Sequence, residues 1–224
     1  MMAITCNEYS KVYWANYVSL EKEFLTTLQY VTLDVENYNT FSEAYIKLML
    51  EIGSEIDVVL KLYCKILSSD FSKDRITDYC KCIKSEKPDF CEQKVKLINK
   101  ELILNPWKNW ALPTPCSPYW WTAYNKIKHE RTDYGTINEI SKEYYKFAHL
   151  ENVLLAMAGL YHCSLSIYYE LSSNEERDIL IPLPGSRLFQ MIGGVWDGMI
   201  FYQDYAFYIK NNRLIMAQGE GIYY

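Results

Sequence analysis

The stretch "FSEAYIKLMLEIGSEIDVVLKLYCKIL", residues 41–67, decides the fold of this chain. Its apolar side chains recur at steps of three and four residues, which is the spacing of a long α-helix with one buried face. The residues on this face are Tyr45, Leu48, Ile52, Ile56, Val59, Leu60, Tyr63 and Ile66. Thr40, with Glu43 three residues later, has the spacing of a capping box, which predicts where the helix starts. We therefore expect a mainly helical protein.

Other segments have the same helical spacing. Residues 8–31 form one of them, with apolar side chains at Tyr13, Tyr17, Leu20, Phe24, Leu28 and Val31. A short helix is predicted over residues 75–84. A third major helix is predicted from Pro118, with Ser117 as its cap, to Thr132 or Gly135. A last long helix is predicted from about Ile137, with an apolar stripe of Phe147, Leu150, Leu154, Met157, Tyr161, Leu165 and Tyr168. Together these segments predict a helical bundle.

Two regions have strand-like patterns. Residues 94–104, "KVKLINKELIL", alternate in part and predict a hairpin around residues 99–100. From residue 181 onward the pattern favours short strands, and "AFYIKNNRLIMA", residues 206–217, predicts a second hairpin because Asn tolerates the positive φ of a two-residue turn. We expect a helical bundle over residues 1–175, with an irregular insertion at 68–118, and a small β-rich appendage at 176–224 packed on the bundle.

Length and composition limit the class of protein. The 224 residues suit one domain, and the net charge of -5 excludes a protein coated with nucleic-acid-binding cations. Any RNA contact must be local, and we expect no DNA or membrane partner. The start, "MMAITCNEYS", lacks the basic and apolar regions of a signal peptide, which predicts a cytoplasmic protein. Seven scattered cysteines fit reduced thiols better than a disulfide framework.

The stretch "PYWWTAYNKIKHERTDY", residues 118–134, raises the clearest chemical question. On a regular helix Asn125 and His129 lie one turn apart on the same side. An Asn amide can orient a substrate, and a His can exchange protons at neutral pH, so the pair can serve phosphodiester chemistry. Lys126, Lys128 and Arg131 would supply positive charge for a phosphate.

A structural interpretation of the same stretch stays open. In it, Trp120 and Trp121 are core anchors and Asn125 bonds to the backbone. His129 and the neighbouring cations are then a solvated helix end, where the helix dipole favours positive charge. Composition and spacing do not decide between the two interpretations.

The segment "AYNKIKHER", residues 123–131, resembles the motif of the HEPN superfamily of helical proteins. In that motif an Arg, usually followed by a polar residue such as Asn, precedes a His by four to six residues. His129 matches the His and Asn125 matches the polar residue, whereas Tyr124 stands at the Arg position. The layout of two long N-terminal helices, with "GSEIDVVLKL" at residues 53–62 of the second, is also similar, and the resemblance covers about residues 8–170.

The resemblance implies a function. HEPN proteins with the motif are typically metal-independent ribonucleases of toxin, CRISPR and anti-phage systems, often homodimers whose paired motifs form one cleft, and other members only bind nucleotides. We therefore expect an RNA- or nucleotide-binding protein, a degenerate ribonuclease of a bacterial defence or toxin system, that forms homodimers. The expected catalytic residues are His129 and Asn125, and the expected substrate-binding residues are Lys126, Lys128, Arg131, Tyr124 and Trp121. The motif Arg would hold the scissile phosphate, so Lys128 or Arg131 would have to replace it from the next turn.

Glu55 is a further candidate, because across the bundle it could orient His129 or pair with Lys128. Its alternative is an ordinary solvated acidic edge beside Glu51. The cysteines at positions 80, 82, 91 and 116 lack the spacing of a zinc site, and we expect no metal and no cofactor.

The alternative function is a non-catalytic helical interaction module. In it, the tyrosine-rich β appendage docks a partner protein, since tyrosines combine an apolar ring with a polar tip.

Overall fold

The computed structural model describes residues 4–114, 116–175 and 181–197, together with the backbone of strands at 200–201, 206–210 and 213–217. It is mainly helical with a small sheet portion, which confirms the predicted class at that level. Helix α1 runs through three consecutive stretches, Cys6–Tyr9, Ser10–Trp14 and Ala15–Thr27. The other helices are α2 (Glu43–Leu67), α3 (Ile76–Glu86), α4 (Tyr119–His129) and α5 (Leu150–Asn174).

Helix α1 confirms the first predicted helix. Its first turns contain a capping box and a π-helical stretch. Thr5 and Glu8 form a capping box, in which the Thr5 hydroxyl accepts from the Glu8 amide and the Glu8 carboxylate accepts from the Thr5 amide. The stretch Ser10–Trp14 is π-helical, and its Trp14 is buried. Such a turn has one extra residue relative to an α-helix, so the large ring can enter the core without ending the helix.

Helix α2 confirms the long helix that was predicted within residues 41–67. Seven of the eight predicted face residues are buried and Ile66 is partly buried. The predicted capping box at Thr40 is wrong, because Ser42 is the N-cap and its hydroxyl accepts from the Tyr45 amide at 3.2 Å. Phe41, just before this cap, forms an isolated antiparallel β-bridge with His149.

Helix α4 lies where the third major helix was predicted, but its cap differs. Pro118 occupies the N-cap position and no side chain caps the helix, so the prediction of Ser117 as the cap is wrong. The chain leaves the helix after His129, before the predicted end at Thr132 or Gly135.

The predicted start of the last helix near Ile137 is also wrong. A hairpin precedes the helix, with strands β3 (Tyr134–Ile137) and β4 (Ile140–Glu143), and α5 begins only at Leu150. Asn138 and Glu139 connect the strands with φ values of 49° and 66°. Two consecutive residues with positive φ make the tight turn that suits paired strands, and that backbone conformation cannot continue a right-handed helix.

The remaining strands link distant parts of the chain. Strands β1 (Lys94–Leu97) and β2 (Ile103–Leu104) form the hairpin predicted over residues 94–104. Strand β5 (Phe189–Ile192) pairs antiparallel with β1, in the sheet order β2-β1-β5. The backbone of β6 (Ile200–Phe201), β7 (Ala206–Lys210) and β8 (Arg213–Ala217) forms a second three-stranded sheet, which confirms the hairpin predicted over residues 206–217.

Helix α5 lies at the centre of the core and packs against α2. It is long and apolar enough to cross a membrane by composition, but 89% of its most apolar window is buried inside the protein. This is the burial expected of a core helix. Beside it, Trp107 packs against Trp110 and Trp120, with ring centroids 4.3 and 5.2 Å apart.

A buried carboxylate ties the C-terminal segment to α1. Glu21, only 2% exposed, accepts hydrogen bonds from the Tyr17 hydroxyl at 2.7 Å and from the backbone amides of Arg187 at 3.0 Å and Leu188 at 3.2 Å. The Ser186 hydroxyl also donates to it. The carboxylate therefore satisfies backbone donors that the core would otherwise leave unpaired.

Two buried histidines predict acid sensitivity. Burial, aided by the Lys142 charge, lowers the pKa of His149 to about 4, and burial lowers the pKa of His162 to about 3. Both values lie below the ordinary 6.5 of an unfolded chain, so the unfolded state binds more protons between these limits. Stability is fully present above pH 6.5 and is lost as the pH falls through this window, by up to about 1.4 kcal/mol per histidine per pH unit.

Urea unfolding at pH 7 and pH 5 measures this loss. The variant His162→Gln is expected to have a flatter pH dependence than the wild type, and the exposed His129→Ala is the control for loss of a histidine that is not buried. An unchanged slope in His162→Gln would contradict the assignment.

Candidate functional site

Helix α4 is held in the bundle by its aromatic face. The Trp120 ring nitrogen donates to the Pro106 carbonyl at 2.9 Å. Trp121 and Tyr124 are 6% and 3% exposed, with ring centroids 5.1 Å apart. Both were predicted to bind substrate, but the structure places their rings in the core, where neither is presented to solvent.

Gly53 of α2, which has no side chain, leaves room for the Tyr124 ring between α2 and α4. A Cβ at Gly53 would overlap the Tyr124 ring, so only glycine allows the two helices to approach this closely. At the outer end of the ring, the Tyr124 hydroxyl accepts from the Lys128 ammonium at 3.3 Å, and this ammonium lies 5.5 Å from the ring centroid. Tyr124, which stands at the position of the motif Arg, is thus a packing residue with one polar contact.

The C-terminal end of α4 carries the exposed part of the motif. Lys128 and His129 are exposed in the last turn, and Arg131 is exposed two residues after the helix ends. Within the described ranges, no hydrogen bond or ion pair involves the side chain of His129 or Arg131. The three groups together form a small cationic surface, which we call the α4 tip.

Asn125 and Lys126 are engaged in local contacts. The half-buried Asn125 donates from its amide to the Trp121 carbonyl at 3.1 Å, one turn earlier. The Lys126 ammonium contacts both oxygens of Glu130, at 2.7 and 2.8 Å, and lies 5.1 Å from the Tyr144 ring centroid. Glu130 therefore balances the charge of Lys126, whereas no carboxylate among the described residues pairs with Arg131.

Glu55 lies away from the α4 tip. It is two residues after Gly53, about 200° around α2, so it points away from the face that carries Tyr124. Burial raises the pKa of Glu55, and a hydrogen bond from Asn16 of α1 opposes that shift. Among the described residues, no contact joins Glu55 to His129 or Lys128; the structure gives it Asn16 as its partner instead.

The α4 tip lies apart from the well-formed cavities. One cavity of about 80 Å³ adjoins the start of α4, where Tyr119 and Trp120 line it with His149. Tyr119 and His129 are about 15 Å apart along the helix axis. A second cavity, of about 280 Å³, lies between the start of the 88–93 loop and the C-terminal half of α5. The α4 tip is therefore a surface site.

Comparisons with protein-family models, curated proteins and solved structures found no match. The HEPN likeness accordingly stays a prediction that rests on the motif and on the layout of the helices.

The cysteines do not form a cluster suited to a metal. All seven are free, and in the described part of the chain no group of three or more His, Cys, Asp and Glu side chains is placed to hold an ion. Burial raises the pKa of Cys80 to about 11 and that of Cys91 to about 12. At neutral pH these two thiols are therefore protonated.

The larger cavity contains groups that the sequence did not single out. Tyr63, Phe90, Gln93, Tyr169 and Trp196 line it and come from four separate segments of the chain. No spacing rule connects these segments. The pairing of β5 with β1 brings Gln93 near Trp196, and the packing of α2 on α5 brings Tyr63 near Tyr169.

Proposed function

We propose that this protein binds single-stranded RNA at the α4 tip. The observation that carries the proposal is the joint exposure of Lys128, His129 and Arg131 at one helix end, with no carboxylate partner for Arg131 among the described residues. A guanidinium and an ammonium this close together can contact neighbouring phosphates of one strand.

The shape of the site favours a strand over a buried nucleotide. A free nucleotide gains most of its affinity in a concave pocket, and the α4 tip lies outside the described cavities. An extended phosphodiester chain can lie along an exposed helix end. The net charge of -5 restricts the contact to a few phosphates, which argues against duplex DNA as the partner.

We propose binding without cleavage. In the related motif the Arg would hold the scissile phosphate, and here Tyr124 takes that position in the core. Lys128 and Arg131 can bind phosphates of the strand, but no cation stands at the motif Arg position to stabilise the charge that develops on the scissile phosphate. A HEPN-like origin, homodimer formation, a cytoplasmic location and a role in a bacterial defence or toxin system belong to the same proposal.

Fluorescence anisotropy with labelled single-stranded RNA tests the site. The double variant Lys128→Ala/Arg131→Ala is expected to bind at least about fivefold more weakly at low salt. Its plot of log affinity against log salt is expected to be shallower by about 1.4, because two phosphate contacts are lost at about 0.7 each on a single strand.

The matched control removes two exposed cations from other helices, as Lys22→Ala/Lys65→Ala. Equal losses in both double variants would show non-specific attraction and would sink the proposal. Wild-type protein that does not bind RNA would do the same.

The alternative, an interaction module, depends on the side chains of the C-terminal tyrosines, which are Tyr202, Tyr205, Tyr208, Tyr223 and Tyr224. Those side chains lie outside the described residues, so no described contact favours this alternative.

A further inference from the structure

The cavity of about 280 Å³ has aromatic walls. Tyr169 and Trp196 meet edge to face, with centroids 5.3 Å apart, and Phe90 lies 6.1 Å from Tyr63. Aromatic faces carry negative charge in their π-systems and attract cations. The walls are therefore suited to a positively charged group with an apolar body.

Hydrogen bonds and stacking hold these walls in place. The Gln93 side-chain oxygen accepts from the Trp196 ring nitrogen at 2.9 Å and lies 3.1 Å from the His162 Nε2 atom. The His162 ring stacks on Phe90, with centroids 4.2 Å apart. The pKa of His162 is lowered by burial, so the imidazole is neutral near pH 7 and adds no positive charge beneath the cavity. The aromatic walls are thus preorganised, and their surroundings do not repel a cation.

The charged lining is predominantly negative. Glu86, Asp89 and Glu170 line the cavity together with a single cation, Lys87. The Lys87 ammonium lies 2.6 Å from the Glu170 carboxylate, whose side chain is mostly buried. Within the described residues Glu86 and Asp89 form no ion pair, which leaves two negative charges unmatched.

The Tyr63 side chain adds a polar group to the cavity wall. Tyr63 is 1% exposed, lines the cavity, and its hydroxyl has no hydrogen-bond partner among the described residues. Burial and the nearby charge of Glu170 raise the pKa of Tyr63 well above its ordinary value. The phenol is therefore a neutral group close to Glu170 that can accept a hydrogen bond from a ligand N–H.

We propose that this cavity is a binding site for a small organic cation, an alkylammonium or a guanidinium compound. The cationic head binds Glu170 and the Tyr63 hydroxyl, and its carbon chain packs against the aromatic wall that Tyr169 and Trp196 form together. The Lys87 ammonium pairs with the Glu170 carboxylate when the ligand is absent, so Lys87 competes with the ligand for this carboxylate. The volume fits a ligand of a few carbon atoms, since drug-sized ligands need larger pockets.

Calorimetry with n-butylammonium, methylguanidinium and neutral 1-butanol tests the site, with thermal melting as a second readout. Both cations are expected to bind saturably and to raise the melting temperature, because they stabilise the folded state. 1-Butanol is expected to do neither. The comparison of the two cations shows which head group is preferred.

Two variants test which charged side chains of the cavity act on the ligand. Glu170→Gln is expected to weaken cation binding at least about tenfold, because the charge-assisted hydrogen bond is lost. Lys87→Met is expected to tighten it, because the internal competitor is gone. Glu151→Gln, a carboxylate at the other cavity, is the control and should leave binding unchanged.

Equal binding of 1-butanol would show an ordinary apolar cavity and overturn the proposal. So would unchanged affinity in Glu170→Gln, or the absence of saturable binding by either cation. None of these results affects RNA binding at the α4 tip, which uses other residues.

Discussion

Tyr124→Arg is expected to lower the free energy of unfolding by at least about 3 kcal/mol. The ring of Tyr124 is 3% exposed and packs over Gly53, where there is no room for even a Cβ. A guanidinium there would be buried without a carboxylate partner and would lie close to the Lys128 ammonium, which now donates to the Tyr124 hydroxyl. Desolvation and repulsion therefore both act against the folded state.

Urea unfolding measures this loss, with Tyr124→Phe as the matched control. The Phe variant keeps the ring and removes only the contact with Lys128, so a change within about 1 kcal/mol is expected. An Arg variant that folds as stably as the wild type and cleaves RNA would contradict the account. It would mean that this position opens into a cleft, as the motif Arg of the related proteins implies.

Glu21→Ala is expected to cost at least about 3 kcal/mol of stability. The substitution removes the carboxylate that accepts from the Tyr17 hydroxyl and from the backbone amides of Arg187 and Leu188. Tyr17 and Leu188 then keep only the Ser186 hydroxyl as a partner, and the carboxylate's buried site is left as a cavity. Each buried donor left without a partner costs about 1–3 kcal/mol. The segment before β5 would lose its attachment to α1.

Glu23→Ala is the control on the same helix, because Glu23 is exposed and forms a surface ion pair with Lys47 at 3.1 Å. Its removal is expected to cost less than about 1 kcal/mol. Equal losses in the two variants, measured by urea unfolding, would show that the buried carboxylate has no special role.

The helical part of the fold was predictable where one periodic signal covered many turns. In α2, side chains from Tyr45 to Tyr63 keep the helical step, and burial of that face stabilises the helix more than any local preference does. The hairpin at residues 94–104 was also predictable from alternation and turn residues. The pairing of β1 with β5 was not, because partners so far apart in sequence leave no local pattern.

The hairpin before α5 shows where periodicity misleads. The last helix was predicted to start near Ile137, although its apolar stripe begins only at Phe147. The turn at Asn138 and Glu139 breaks the predicted helix, and the glutamate there adopts a φ of 66°, which residue preferences do not indicate. The turn therefore prevents the helix from starting near Ile137, and α5 begins only at Leu150.

The candidate site was predictable only in its exposed part. Lys128, His129 and Arg131 follow the last apolar residue of α4, so a helix end with solvated cations was a sound expectation. The burial of Tyr124 depends on the glycine that α2 presents to it, and the direction of Glu55 depends on how α2 is rotated in the bundle. Neither can be read from the sequence of one helix.

RNA binding at the α4 tip is tested most directly by photo-crosslinking of single-stranded RNA that contains 4-thiouridine, followed by peptide mapping. We predict crosslinks within residues 119–134 of the wild-type protein, and their strong reduction in Lys128→Ala/Arg131→Ala but not in Lys22→Ala/Lys65→Ala. Crosslinks confined to other segments, or a pattern unchanged in Lys128→Ala/Arg131→Ala, would contradict RNA binding at the α4 tip.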